Sequence, residues 1–362
     1  MRNELNYITI LIMNSVKKIR VELIDIAKAI TIFLVIMGHA DGNLESPMYR
    51  LIIYAFHMPL FFFLAGLSIH PSPVHGLTEW KNYLRKNILA LVVPYFIWAF
   101  VYAPFDFKNV PFFLYASWNA LYTSKTLTSL WYLPAFFIAR IITQLVICFL
   151  DRIKVSDITG KCALFSIPLF IIGLAAPKLS SGYPWCLDAA FVGAAFILLG
   201  IAARKPLLIL AQQKGLILAF IFVISLSLLF CGTYLRGDNL TLVLMCDSKY
   251  GNIFWFFANS FSGIITVLSA SMILFRLSRE GIRPFGTTAI TYIGKHTMGI
   301  FLLHKNILQL LIMPVVNSFI TGPGALNAFL GACITLPISL LLCAVIEKYV
   351  PQLLGQFPIY QE

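Results

Sequence analysis

Ten long apolar runs, separated by short polar segments, dominate the sequence and limit what the chain can fold into. A run of about 20 apolar residues can cross the hydrocarbon core of a bilayer as a helix. These runs are too long and too continuous to be barrel strands, and a helix pairs its own backbone polar groups in lipid. We therefore predict an all-α polytopic membrane protein with about ten transmembrane helices. The runs lie near residues 23–40, 50–69, 87–105, 130–150, 161–178, 187–203, 216–234, 254–276, 294–316 and 326–346.

Composition excludes a soluble globular protein. Hydrophobic residues make up 59% of the chain and charged residues only 12%, about half the charged share of a soluble domain. The net charge of +12 would suggest a nucleic-acid partner in a soluble protein. In a membrane protein the same excess is typical of cytoplasmic loops, which collect Lys and Arg. We therefore expect membrane lipids around the chain and no nucleic-acid partner.

The distribution of Lys and Arg between alternate segments predicts the orientation. With a cytoplasmic N-terminus, 18 of the 27 Lys and Arg residues fall in inner segments, 6 in outer segments and 3 within the spans. Positive charge marks the cytoplasmic side of a membrane protein. We therefore predict that both termini are cytoplasmic. The predicted parts are a cytoplasmic N-terminal segment at 1–20, a single transmembrane domain at 21–348 and a cytoplasmic C-terminal tail at 349–362.

The first apolar run carries three ionisable residues, Asp25, Lys28 and His39. At 3.6 residues per turn, all three lie on nearly one face of a helix, and His39 lies about 16 Å above Lys28. Ionisable residues inside a membrane are costly, so a functional role is the default hypothesis. The alternative is that Asp25 and Lys28 lie at the interface and that His39 only ends the helix.

Five further residues are candidates for binding a substrate. His57 opens the run FHMPLFFFLAG, close in sequence to the end of the first span, so a cavity shared with His39 is expected. Trp131 lies in LWYLP and Asp188 follows PWCL, where an aromatic anchor and a helix cap are the alternatives. His304 and Lys305 lie within the ninth span, and packing alone does not explain such a pair there.

No motif in the sequence indicates a metal site or a serine hydrolase. No two His residues are spaced four apart, and neither an HExxH motif nor a G-x-S-x-G motif is present. We therefore expect no bound metal ion.

Five motifs in order resemble the acyltransferase 3 family of integral membrane acyltransferases. They are DIAKAITIFLVIMGHA, FHMPLFFFLAG, LRKNILALVVPYFIW, LWYLPAFF and GKHTMGIFLLH. The branch that the chain most resembles is the fucose 4-O-acetylase-like group, in which an Asp-x-x-Lys element precedes the Gly-His pair. The run PWCLDAAFVGAAFILLG is also similar to that branch.

The resemblance implies an O-acyltransferase of the bacterial inner membrane. It implies acetyl transfer from acetyl-CoA to a hydroxyl of a cell-envelope or exported polysaccharide, with a glycan or a lipid-linked sugar as acceptor and no permanently bound cofactor. The characteristic membrane-embedded His of the family corresponds to His39, as general base or as acyl carrier. Lys28 stands where many members have Arg, and we expect Lys28 and Asp25 to line the acyl donor's path below His39.

One sequence element of the family, an Arg-x-Arg motif, is missing from this chain. Many members carry Arg-x-Arg just after the second span, where this chain reads GLSIHPSP. Lys81, Arg85 and Lys86 are the expected substitutes for binding the CoA phosphates.

The alternative function is a transporter or flippase of a lipid-linked sugar, which would also need polar residues within its spans.

The predicted orientation can be tested with single Cys residues in a Cys-free variant. In intact cells, Cys placed in 151–160 or 277–293 should resist a membrane-impermeant thiol reagent, whereas Cys placed in 235–253 should react. Permeabilised cells provide the control, because all sites should then be labelled. The reverse pattern would place the His39 end of the first span in the cytoplasm.

Overall fold

The computed structural model describes residues 21–40, 47–103, 107–122, 126–236, 241–279, 287–320 and 324–358. Within these ranges the structure consists of helices and connecting segments, and nine helical stretches are long and apolar enough to cross a membrane. The helix at 21–38, which carries Glu22, Asp25 and Lys28, belongs to the same bundle, because its apolar side chains join the common core. The predicted all-α polytopic fold is confirmed. The predicted N-terminal segment 1–20 lies outside the described residues.

The helices, in chain order, have the following bounds. They are α1 (21–38), α2 (Met48–Tyr54), α3 (His57–Ser68), α4 (Gly76–Asn87), α5 (Val93–Tyr102), α6 (Val110–Tyr115), α7 (Trp118–Tyr122), α8 (Tyr132–Arg152), α9 (Ile158–Ala175), α10 (Leu187–Ala202), α11 (Arg204–Ala211), α12 (Gly215–Leu235), α13 (Ile253–Arg279), α14 (Thr287–Lys295), α15 (Thr297–Asn306), α16 (Met313–Phe319) and α17 (Gly324–Tyr349).

Two spans contain a widened, π-helical turn. The turn at Ile88–Val92 joins α4 to α5, and the turn at Ile307–Ile312 joins α15 to α16. A proline follows each turn, Pro94 in one span and Pro314 in the other. Proline has no N–H to donate and its ring collides with the carbonyl four residues earlier, so the helix accommodates it by a wider turn. Because α4, the π-helical turn and α5 form one continuous helical stretch, the third span begins at Gly76, eleven residues before its predicted start.

The centre of the bundle is α10, which packs against α3, α8 and α9. Its contact with α3 is close because Gly66 and Gly200 face each other across it. A Cβ added at Gly66 would overlap the main-chain oxygen of Ile197, and a Cβ at Gly200 would overlap that of Phe63. Small residues of this kind let the backbones of membrane helices approach closely. This contact fixes α3, and with it the start of α3 near the site.

The segment between α5 and α8 packs into the bundle. Phe113 on α6 is buried, and the Tyr95 hydroxyl on α5 donates a hydrogen bond of 2.8 Å to its carbonyl oxygen. Beyond α17, Leu354 is buried and the Trp98 indole donates a hydrogen bond of 2.8 Å to the Leu353 carbonyl. The first residues of the predicted C-terminal tail therefore contact α5, while 359–362 lie outside the described residues.

Replacing Gly66 or Gly200 with Ala should loosen the α3–α10 contact. Each change places a Cβ against main-chain atoms that cannot move alone, so we expect a loss of about 1–3 kcal/mol in stability, typical of overpacking. Gly215→Ala is the control, because the added Cβ would meet only the Arg276 side chain at 3.8 Å. Thermal unfolding of the purified protein in detergent measures the effect. Equal melting temperatures for all three variants would contradict this account of the contact.

Candidate active site

The C-terminal end of α1 holds His39 one residue beyond the last helical residue. The final carbonyls of a helix have no partner within the helix, and they cannot stay unpaired away from water. Two side chains from other elements bind them. Arg50 Nε on α2 donates a hydrogen bond of 3.1 Å to the Gly38 oxygen, and Gln309 Nε2 donates one of 2.8 Å to the His39 oxygen. The backbone that carries the imidazole is thus fixed from two sides.

Arg50 and Gln309 reach the end of α1 from two other helical segments. Arg50 lies on the short helix α2 and is buried, although its place in the sequence predicts an outer segment. A cation at a helix C-terminus is also favoured by the helix dipole. Gln309 belongs to the π-helical turn before Pro314, and such turns are frequent at functional sites.

Aromatic and imidazole rings surround His39. The Tyr54 hydroxyl lies 3.3 Å from His39 Nδ1. The centroid of the His304 ring lies 5.3 Å from that of His39, at an interplanar angle of 44°. His57 contacts Tyr54 on the other side, with ring centroids 4.8 Å apart. The structure therefore brings His304 from a distant span next to two histidines, His39 and His57, that are close in sequence.

Backbone carbonyls orient two of these histidines. His57 Nδ1 lies 2.8 Å from the Ile53 oxygen, and His304 Nδ1 lies 2.8 Å from the Phe301 oxygen. A carbonyl only accepts hydrogen bonds, so a neutral ring carries its proton on Nδ1 and keeps the lone pair on Nε2. Pro59, two residues after His57, has no N–H, so it cannot donate a helical hydrogen bond to the Ala55 carbonyl oxygen. The Ser260 hydroxyl on α13 donates to that carbonyl oxygen instead.

A cavity of about 240 Å³ is lined by His39, Tyr54 and His57, and we call it the outer cavity after the side of the membrane that the sequence predicts for it. Its polar wall is cationic, with Arg50 and Lys305, and none of the described side chains that line it is acidic. Lys305 donates a hydrogen bond to the Thr128 hydroxyl. Trp131, Trp118 and Tyr122 supply aromatic surface, which suits an apolar sugar face.

Cys246 also lines the outer cavity, from the segment between α12 and α13. Burial is the main reason that the pKa of its thiol lies well above the ordinary range. The thiolate is the nucleophilic form of cysteine. Cys246 is therefore protonated near pH 7 and is a poor candidate for carrying an acyl group.

A second cavity of about 580 Å³ lies toward the other end of α1, and we call it the inner cavity after the side of the membrane that the sequence predicts for it. Lys28 lines it, and its ammonium group lies 4.0 Å from the buried carboxylate of Asp25. Arg140 on α8 lines the same cavity, held by the Tyr83 hydroxyl, which donates a hydrogen bond of 3.0 Å to its carbonyl. Two cations, an apolar lining and several hydroxyl groups suit a long, partly anionic substrate.

The two cavities meet at Met58 and Phe301, which line both of them. The Phe301 ring lies 5.3 Å from that of Tyr132 and 5.8 Å from that of His304, measured between centroids. This pair of side chains separates the Lys28 end of α1 from the His39 end. A substrate that reaches from the inner cavity to His39 must displace or pass them.

The remaining candidates lie apart from His39. Asp188 stands in the first turn of α10, where it accepts a hydrogen bond from the Ser248 hydroxyl and lines a separate cavity of about 60 Å³. Lys81, Arg85 and Lys86 are exposed on α4 and line neither large cavity, whereas Tyr83 on the same helix lines the inner one. In the described ranges, no group of three His, Cys, Asp or Glu side chains could hold a metal ion.

Several residues of the site escape a reading of the sequence alone. Arg140 is a charged residue within an apolar span, which marks it as a candidate. The cavity that it lines also depends on residues of α3 and α15, which the sequence does not place beside it. Tyr54, Met58 and Phe301 resemble ordinary apolar lining, and no pattern distinguishes them from core residues. Gln309 is the one polar residue in the run 307–316, so its polarity within a span was the available signal.

The fold and the site define a polytopic membrane protein with a histidine-centred cavity near one end and a cationic cavity behind it. Residues 21–348 match the acyltransferase domain that defines the acyltransferase 3 family, so the chain belongs to that family. Searches among curated proteins and among solved structures each returned no match. The protein is therefore a multi-pass membrane acyltransferase, and membership of this family displaces the transporter or flippase hypothesis.

Proposed function

We propose that the protein transfers an acetyl group from cytoplasmic acetyl-CoA to a hydroxyl of a cell-envelope glycan or lipid-linked sugar. The observation that carries this proposal is the pair of cavities along α1, which meet at Met58 and Phe301. One cavity offers cations for an anionic donor, and the other offers histidines and aromatic rings for a sugar. The protein acts in the inner membrane of a bacterium, in the fucose 4-O-acetylase-like branch of its family.

The donor enters from the cytoplasm in this proposal. CoA carries phosphates that cannot cross hydrocarbon, so they stay near Lys81, Arg85 and Lys86, which are exposed on α4 beside the inner cavity. Lys28 and Arg140 line the route of the pantetheine arm. Asp25 keeps Lys28 charged by pairing with it. The thioester then passes Met58 and Phe301 toward His39, about 16 Å above Lys28.

The chemistry centres on His39. A sugar hydroxyl is a weak nucleophile near pH 7, and a positioned neutral imidazole can take its proton. The sugar oxygen then attacks the thioester carbonyl carbon, the carbon–sulfur bond breaks, and the imidazolium returns the proton to the CoA sulfur. Lys305 and Arg50 line the same cavity and can stabilise the negative oxygen that forms in between. In the alternative route His39 itself carries the acetyl group before the sugar attacks.

The acceptor enters from the opposite side. His57, Trp131 and Lys305 line the outer cavity, and His304 lies directly behind His39. Asp188 accepts a hydrogen bond from Ser248, which lies in the same segment as Cys246. Asp188 would therefore act on the acceptor indirectly, by holding that segment in place. Aromatic rings with nearby hydrogen-bond donors are typical of sugar-binding surfaces.

His39→Ala should abolish acetylation, a loss of at least about 100-fold, because the proton acceptor is removed. The matched control is His75→Ala, since His75 is exposed and lines neither large cavity. The acetyl content of envelope glycans, measured by NMR in cells with equal amounts of each variant in the membrane, gives the result. Normal acetylation by His39→Ala would refute the proposed mechanism.

Lys28→Ala should raise the KM for acetyl-CoA several-fold, whereas Lys28→Arg should stay close to wild type because it keeps the cation in the inner cavity. Lys161→Ala, an exposed change on α9, serves as the control. Inverted membrane vesicles supplied with radiolabelled acetyl-CoA measure the dependence on donor concentration. An unchanged KM in Lys28→Ala would remove Lys28 from the donor path.

A further inference from the structure

His39 lacks the partner that a catalytic histidine usually has. An imidazole that acts as a base commonly donates its second N–H to a carboxylate, which holds the ring in one tautomer and orientation. In the part of the chain that the structure describes, no carboxylate lines the outer cavity. Some other acceptor must therefore hold the proton of His39 on one nitrogen.

His304 offers such an acceptor. Its Nδ1 lies 2.8 Å from the Phe301 oxygen and 3.2 Å from the Ile300 oxygen, so the proton of the neutral ring is committed to main-chain carbonyls. Its Nε2 therefore carries a lone pair. That atom is buried, and it has no hydrogen-bond partner among the described residues. A buried polar atom without a partner is rare enough in folded proteins to require an explanation.

The geometry gives this lone pair one suitable neighbour. The His304 and His39 rings are 5.3 Å apart between centroids, and rotation of the His39 ring can bring its Nε2 within hydrogen-bond distance of His304 Nε2, about 3 Å. The Tyr54 hydroxyl already lies at His39 Nδ1, which leaves His39 Nε2 for a second partner.

Among the described residues, the other ionisable groups around His39 do not offer an equivalent atom. Lys305 and Arg50 line the same cavity but only donate hydrogen bonds. His57 faces the Tyr54 ring, 4.8 Å away between centroids, and its Nδ1 is bonded to the Ile53 carbonyl. Tyr54 itself lies at Nδ1 rather than Nε2.

We propose that His304 is a positioning residue whose Nε2 accepts the Nε2–H of His39 and thereby keeps His39 Nδ1 as the base. The sugar hydroxyl takes the place of the Tyr54 hydroxyl beside Nδ1. Its proton moves to Nδ1 as the sugar oxygen attacks the thioester carbonyl carbon, and the proton leaves on the CoA sulfur when the carbon–sulfur bond breaks. The Nε2–H of His39 stays shared with His304 throughout, so His304 gains and loses no proton overall. The inference rests on the proposed function, because it assumes that His39 is the base.

His304→Asn and His304→Gln test the inference as a matched pair. An Asn amide can still donate to the Phe301 carbonyl, but it places no acceptor where Nε2 was. The longer Gln side chain can bring its carbonyl oxygen to that place. Both variants are polar and close to His in size, so a general packing defect should affect them alike.

Inverted membrane vesicles supply radiolabelled acetyl-CoA to the cytoplasmic face and keep the endogenous acceptor. At equal membrane levels, His304→Asn should lower the maximal rate by roughly 10- to 100-fold, part of the contribution of a positioned base, with the KM for acetyl-CoA unchanged. The acid side of its pH profile should also shift, because His39 loses the acceptor that stabilises its imidazolium. As the pH is lowered, the rate of the variant should begin to fall at a lower pH than the rate of the wild type. His304→Gln should recover most of the rate.

Three results would overturn the inference. Equal losses in both variants with an unchanged pH profile would mean that His304 only packs against His39. A loss confined to a higher KM for acetyl-CoA would make it a donor-binding residue. His39→Ala, assayed in the same vesicles, separates the two proposals. Activity in that variant would defeat the proposed function itself, whereas an inactive His39→Ala beside a normal His304→Asn would defeat this inference alone.

Discussion

The capped end of α1 is the interaction on which the site depends. A helix that stops among buried groups leaves carbonyl oxygens that water cannot reach, and each unpaired oxygen would be costly there. Arg50 and Gln309 bind the Gly38 and His39 carbonyls, so these two polar side chains near His39 satisfy the backbone. The helix end therefore cannot shift without breaking bonds to α2 and to the span that carries His304. A precise reaction geometry at the end of a helix requires such fixing, because an unsupported end frays.

The sequence predicts the framework well because hydropathy is a local property. Long apolar runs must be helices in lipid, and the order of five motifs indicates the family without any tertiary information. The alignment of Lys28 and His39 on α1 also follows from helix periodicity alone. The third span is harder, because α4 is polar enough to look like a loop although it continues into α5.

The composition of the site is less predictable because it depends on contacts between distant segments. Arg50 counts as an outer-segment charge in the sequence, yet it is buried against a carbonyl twelve positions earlier. His304 attracts attention as an ionisable neighbour of Lys305, but its relation to His39 depends on how α15 packs beside α1. Asp188 illustrates the opposite case, since its position at a helix start is visible in the sequence while its Ser248 partner is not.

Met58 and Phe301 have a consequence for the membrane as a whole. Two large cavities placed end to end would form a continuous water column, and such a column would let protons and ions leak across the bilayer. The thioether and the phenyl ring are apolar, and both are almost fully buried where the cavities meet. An ion that entered this constriction would lose its hydration without finding a replacement ligand. The same two side chains thus keep the two cavities from joining into a path for ions across the bilayer.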